Sequence, residues 1–233
     1  MKSSPRPNLD QPSDMADQAM PGGWFITLDG VDGCGKSTQV RQLVAHLRST
    51  HAEVISVRDP GSTDVGARLR AILLESDLTM HRRTEAMLFM ASRCEMVESI
   101  IRPALARGAI VVSDRYLLST VVYQSTGAAD ESHQVVPAEQ LWQLGRQSCG
   151  GLDPHMTILL DVSAETSMRR LPERADRMES RGIEYMSAVR QAYLDQLPFS
   201  GGRQVVIDAD QSADDVAQQI AAVVDGARAT TSS

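Results

Sequence analysis

The stretch Trp24-Phe25-Ile26-Thr27-Leu28-Asp29-Gly30-Val31-Asp32-Gly33-Cys34-Gly35-Lys36-Ser37-Thr38 decides how the rest of the chain is read. Its first five residues form a run of strand type that ends on an acid, Asp29. The next eight satisfy G-x-x-x-x-G-K-[ST], and a helical pattern opens at Lys36. Glycines let backbone N–H groups turn inward around a polyphosphate, and the helix behind them offers its N-terminus to the charge. In this cradle of Gly30, Val31, Asp32, Gly33, Cys34, Gly35, Lys36, Ser37 and Thr38, the Lys36 ammonium reaches the β- and γ-phosphates. The Ser37 hydroxyl ligates Mg²⁺. A strand before and a helix after are the context the motif needs, so the stretch reads as a site for a nucleoside triphosphate such as ATP.

On its C-terminal side short β-type runs alternate with helical patterns. Further strands are expected at 53–57, 109–113, 156–160 and 203–207. Helices are expected at 36–49, 64–75, 82–106, 115–124, 137–148, 164–171, 183–196 and 213–225. Alternation of this kind predicts an α/β fold, a parallel five-stranded sheet wrapped by helices on both faces, with ligands at the carboxyl ends of the strands. Residues 1–22, rich in Ser, Pro, Asp and Gln, read as a disordered N-terminal tail. Residues 23–225 form a single kinase-sized domain, and 226–233 a flexible C-terminal tail.

Composition narrows the function. Of 233 residues, 42% are hydrophobic and 23% charged, an ordinary globular balance. No apolar run of the roughly 18 residues that span a bilayer occurs. A net charge of −7 argues against a non-specific nucleic-acid binder. Cys34, Cys94 and Cys149 have no CxxC spacing, the five histidines have no metal-ligand spacing, and no secretory signal is visible, so a reducing cytoplasm is expected. The 23 basic residues comprise 21 arginines and two lysines, Lys2 and Lys36. Either Lys36 is retained because a compact ammonium is needed there, or it is a survivor of codon bias. The only asparagine is Asn8, so the Asn-Lys-x-Asp guanine reader of switch GTPases is absent. A motor ATPase is usually larger; the length suits a small-molecule kinase.

Three segments bear on the phosphate acceptor. At 100° per residue, Met87, Ala91, Cys94, Ile101 and Leu105 share one stripe of the helix at 82–106, the expected core face. Phe89 and Arg93 lie off it, four residues apart. They either stack on a nucleobase and bond its edge, or form a second packing face with Met96 and Ile100. The strand at 109–113 delivers Asp114-Arg115-Tyr116, where Asp114 can act on the Mg²⁺ shell and Arg115 can hold a second phosphate. A capping Asp and a surface Arg is the plainer reading, and Asp161 at the end of another strand competes for the metal. Residues 169–181 carry Arg169, Arg170, Arg174, Arg177 and Arg181, interleaved with acids and broken by Pro172. This is a solvated charged face, or a lid that brings cations to the phosphates.

Between Trp24 and Val224 these motifs together resemble the thymidylate kinase family. The segments are Leu28 to Thr38, Arg58-Asp59-Pro60-Gly61-Ser62-Thr63, Leu88-Phe89-x-x-x-Arg93, Asp114-Arg115-Tyr116-x-x-Ser119-Thr120-x-x-Tyr123-Gln124 and Ile207-Asp208-Ala209. The resemblance implies phosphorylation of dTMP by Mg²⁺-ATP, and homodimers. It implies that Asp32 accepts from the sugar 3′-hydroxyl, Phe89 stacks on thymine, Arg93 bonds its edge and Thr120 reaches N3. Tyr123 then crowds the sugar 2′ position, Arg58 and Arg115 serve the acceptor, Ser37 and Asp114 the metal. Asp208 and Ala209 line the adenine pocket, and a cis bond precedes Pro60. Three departures stand out. Asp59 and Ser62 occupy an Arg-Glu-Pro-Gly-Gly-Thr motif. Gly33 stands where one branch of the family has an Arg, which shifts weight to Arg170 and Arg174. The loop after Gln124 lacks an Arg seen in some relatives. The alternatives are a kinase for another nucleoside or nucleoside monophosphate, and a non-catalytic ATP-binding regulator.

Overall fold

The computed structural model describes residues 23–51, 53–75, 78–126, 135–171 and 182–231. Five strands, β1 (Trp24–Asp29), β2 (Val54–Arg58), β3 (Ile110–Asp114), β4 (Met156–Asp161) and β5 (Arg203–Asp208), form one sheet in the order β2-β3-β1-β4-β5. Every pairing is parallel. The inner strands β1 and β3 are apolar on both faces because helices cover both. At the edge, β5 is largely exposed. All five expected strands are present, with bounds shifted by at most one residue. The shifts put Asp29, Arg58, Asp114, Asp161 and Asp208 last in their strands, so the carboxyl edge of the sheet is a row of charges.

The helices are α1 (Lys36–Thr50), α2 (Asp64–Arg70), α3 (Arg82–Met96), α4 (Arg102–Ala106), α5 (Leu117–Ser125), α6 (Ala138–Ser148), α7 (Ala164–Arg170), α8 (Gly182–Gln196) and α9 (Ala213–Thr231). Two expected helices are interrupted. A π-turn at Ala71–Glu75 finishes the helix begun by α2, and another at Val97–Ile101 joins α3 to α4. Pro103 lacks an N–H, which leaves one carbonyl of the preceding turn without its usual donor and favours widening there. The last helix runs past 225 to Thr231, because the buried stripe Val216, Ile220, Val224 continues to Ala227. The helix expected to end at 225 is therefore longer, through Thr231.

The core stripe expected on α3 is also corrected. Met87 is 55% exposed, Ala91 is exposed and Cys94 half-buried, whereas Ile101 and Leu105 are buried as expected. The buried line is Arg82, Ala86, Met90, Arg93, Val97, Ile101 and Leu105, displaced by one position along α3 and back on the expected residues from Ile101, at the end of the π-turn. Two arginines lie on it, and a hydrophobic period assigns arginines outward. Both are buried because the fold supplies partners, the Tyr123 carbonyl 2.7 Å from Arg82 and the Asp59 carboxylate beside Arg93.

Candidate active site

The loop after β1 wraps around its own lysine. Lys36 Nζ, buried at the start of α1, donates to the carbonyls of Gly30 (3.0 Å) and Val31 (2.7 Å). No side chain caps this end of α1, which leaves its N-terminus to an anion. Gly33 has φ +76°, and a Cβ there would lie 2.5 Å from the Ser167 carbonyl oxygen, so only glycine fits. Ser167 Oγ in turn donates to the Asp32 carbonyl at 2.6 Å, which ties the loop to α7. Behind the loop, Ser37 Oγ donates to Asp114 Oδ2 at 2.9 Å. Asp161, the competing acid, is taken by a two-bond fork from Arg190 at 2.6 and 2.7 Å.

Beside the loop an open cleft of about 730 Å³ lies between β2, β3, α3 and α5. Its lining includes Phe89, Arg93, Thr120 and Tyr123 together with Asp32, Arg58 and Arg115. Arg93 does not lie on a free helix face. Its side chain is 1% exposed, with Nε 2.5 Å from Asp59 Oδ2 and Nη2 donating to Thr120 Oγ1 at 2.6 Å. Burial pushes the Asp59 carboxyl up, against the pull of Arg93. Asp59 precedes Pro60 through a cis bond, as expected. Ser62, the other departure in this motif, closes the turn by accepting the Arg58 N–H at 2.6 Å and donating to the Arg58 carbonyl at 3.0 Å.

Arg115 is the one non-glycine residue with positive φ (72°) among the described residues. Such a conformation costs on the order of 1–2 kcal/mol and persists only where surroundings enforce it. Here Nη2 pairs with Asp32 Oδ1, and the guanidinium sits 5.2 Å over the Tyr123 ring. Tyr123 Oη donates to Asp32 Oδ2 at 2.7 Å. Burial raises the Asp32 carboxyl, but Arg115, Lys36 and the Tyr123 hydroxyl outweigh it and hold the group below its ordinary value. Arg115 stays charged: burial opposes the cation, and Asp32 overcomes that.

A second opening, lined by Gly33, Lys36, Ser37, Asp114 and Arg170, continues from the first; Asp32, Arg58 and Arg115 line both. A third lies beyond it, against Thr38, Gln39, Arg170, Ala209 and Val216. Arg170 Nη1 donates to the Ala209 carbonyl at 2.9 Å. Ala209 is buried in that wall, whereas the exposed Asp208 carboxylate receives the Asp210 N–H at 2.9 Å instead of lining the opening. Of the pair Asp208 and Ala209 expected at an adenine pocket, Ala209 lines this opening and Asp208 turns to the next turn of backbone. Arg174, the tail 1–22 and the loop at 127–134 lie outside the described residues. Sequence reasoning did not single out Arg70, which lines the first cleft and donates to the Pro60 carbonyl at 3.1 Å, or Tyr193 of α8, whose hydroxyl lies 2.9 Å from Arg115 Nη1. Arg70 follows the second motif on α2 with no spacing to mark it.

A parallel sheet of this order, a Gly-rich loop around a lysine and an adjoining cleft sharing three charged residues define a nucleotide-dependent phosphotransferase scaffold of the phosphate-binding-loop class. The family description "Thymidylate kinase" matches residues 28–220. A thymidylate kinase of Rhodopirellula baltica is 60% identical over 201 residues, covering 86% of this chain and 80% of that one. Thymidylate kinases of Symbiobacterium thermophilum and Neisseria gonorrhoeae are each 39% identical, over 86% and 87% of this chain and 92% and 96% of theirs. The chain belongs to the thymidylate kinase family.

Proposed function

We propose that this chain transfers the γ-phosphoryl group of Mg²⁺-ATP to the phosphate of dTMP, giving dTDP and ADP in the supply of dTTP. The observation that carries this reading is the shared lining of the two openings by Asp32, Arg58 and Arg115. Donor and acceptor phosphates then meet end to end at one cluster of charge.

The third opening, with Ala209, takes the adenine. Lys36 and the loop N–H groups take the β- and γ-phosphates. In the acceptor cleft Phe89 stacks on thymine, Arg93 and Thr120 bond its edge, Asp32 accepts from the 3′-hydroxyl and Tyr123 excludes a 2′-hydroxyl. Arg58 and Arg115 hold the acceptor phosphate. The nucleophile is a phosphate oxygen that is already ionised near neutral pH, so the barrier is repulsion between anions and charge developing on the transferred group. Arg115 and Lys36 oppose both. A cation at position 33 is excluded by the Ser167 carbonyl, so the further positive charge comes from α7, through Arg170, with Arg174 beyond it.

Ser37 and Asp114 fit a hard divalent cation: both are oxygen donors, in hydrogen-bond contact, with Ser37 exposed and Asp114 buried, and both line the opening that Lys36 lines. When bound there, Mg²⁺ neutralises charge on the β- and γ-oxygens. Asp161 fits less well, since Arg190 already occupies both of its oxygens.

The surface stripe Met87, Ala91 and Cys94 of α3, with the exposed Val65 and Ile72 on the segment that packs against α3, fits an interface with a second copy. Among the described residues no helix is long and apolar enough to cross a membrane, and the cytoplasm suits the substrates. Purified chain mixed with Mg²⁺-ATP and each nucleoside monophosphate in turn tests the function. ADP release with dTMP is expected. Release only with a different acceptor, or no release with any acceptor, overturns it. Met87→Asp is expected to shift the sedimenting species from dimer to monomer.

A further inference from the structure

We propose that Tyr193, on α8 and outside every motif named above, is a positioning residue that aims the Arg115 guanidinium at the acceptor phosphate. The inference rests on the reading of Arg115 as the group that holds that phosphate.

Tyr193 is 1% exposed, and its hydroxyl lies 2.9 Å from Arg115 Nη1 and 2.8 Å from Ser119 Oγ. Donor counting fixes the direction of these bonds. Ser119 has one hydroxyl proton, and it goes to Asp29 Oδ1 at 2.6 Å. The Tyr193 O–H therefore donates to Ser119, and the Tyr193 oxygen accepts from Arg115, which has no lone pair to offer. The result is one directed chain from Arg115 through Tyr193 and Ser119 to Asp29 at the end of β1. The guanidinium at one end strengthens the links.

The chain decides which edge of Arg115 is available. Nη1 has two hydrogens and faces three acceptors, the Gly30 carbonyl (3.2 Å), Ser119 Oγ (3.0 Å) and Tyr193 Oη (2.9 Å). Nη2 has Asp32, and among the described residues Nε has no partner. Nε and the second Nη2 hydrogen are thus left for a phosphate, which guanidinium groups hold by two parallel bonds. The ring of Tyr193 packs edge-on against Tyr123, with centroids 6.1 Å apart at 84°, so the hydroxyl can be removed without emptying the site. One turn earlier on α8, the fork from Arg190 to Asp161 fixes the helix that presents Tyr193.

Tyr193→Phe deletes only the oxygen. Titration calorimetry without ATP is expected to show dTMP binding weakened about tenfold, the effect of losing one hydrogen bond to a charged group. Thymidine, which lacks the phosphate, should bind within twofold of wild type, and the KM for ATP should not move. Arg190→Gln serves as the control for a merely structural role. It should lower the melting temperature and leave the ratio of dTMP to thymidine affinity unchanged. Unchanged dTMP binding in Tyr193→Phe overturns the proposal, as does equal weakening of dTMP and thymidine, or a shifted ratio in Arg190→Gln. A wild-type chain that releases no ADP with dTMP refutes the proposed function instead, so the two failures are distinguishable.

Discussion

Replacing Asp59 by Ala leaves the Arg93 cation buried without its counter-ion. Both side chains are 1% exposed, and the Nε–Oδ2 distance is 2.5 Å. What Arg93 keeps is neutral: Thr120 Oγ1 at 2.6 Å, the Tyr116 carbonyl at 3.4 Å and the Met90 sulfur at 3.1 Å. Removing one partner of a buried pair costs about 3–5 kcal/mol. A domain's whole stability is about 5–15 kcal/mol, so the variant should be marginal. For a chain of this size the melting temperature falls by about 6–20 °C. Urea denaturation of wild type, Asp59→Ala, Arg93→Met and the double variant measures the coupling. The double variant should regain much of the loss, because an apolar replacement of a buried pair is often near neutral. Yet it should bind dTMP poorly, having lost the donor to the base edge. A loss below about 1 kcal/mol in Asp59→Ala, or a double variant less stable than Asp59→Ala, refutes the reasoning.

Lys36→Ala should lower turnover by about two to three orders of magnitude, the scale set by single electrostatic groups, and Lys36→Arg should not rescue it; a steady-state ADP assay checks both. Tyr123→Ala should raise activity with UMP relative to dTMP, and an unchanged ratio removes the residue from sugar selection. Asp32, whose carboxyl the neighbouring cations hold low, contributes stability at neutral pH that is lost as pH falls from its unfolded value near 3.9 through the lower folded one. The stability gap between wild type and Asp32→Asn should therefore shrink as urea midpoints are taken from about pH 5 down to about pH 3.

The five strand segments and the phosphate loop were legible because both are local. Period, glycine spacing and a terminal acid are written in consecutive residues, and the sheet then places five strand ends side by side. The face of α3 was not legible, since Arg82 and Arg93 are buried by partners on other elements, the Tyr123 carbonyl and Asp59. That Asp161 has both oxygens engaged was not legible either, because its partner Arg190 lies nearly thirty residues beyond it and outside any motif. Tyr193 was hidden for the same reason: its role is visible only once α8 lies against Ser119 and Arg115. The positive φ of Arg115 has no signature in a non-glycine residue.

The near-absence of lysine has a physical counterpart at Lys36. Its Nζ lies 3.0 Å from the Gly30 carbonyl, 2.7 Å from the Val31 carbonyl and 3.5 Å from Cys34 Sγ, three acceptors converging within one turn of loop. An ammonium has three hydrogens on one atom and satisfies such a set. A guanidinium spreads five over a plane and suits divergent acceptors, as Arg115 and Arg93 show by each bonding several separate elements. Arg115 and Arg93 thus tie separate pieces of the fold at fixed geometry, and Lys36 keeps its charge inside a ring of carbonyls. The same distinction explains how a chain of net charge −7 concentrates anion-binding groups at one sheet edge. Beyond about 8 Å the remaining surface charge is screened, and only the few cations held in place act on the phosphates.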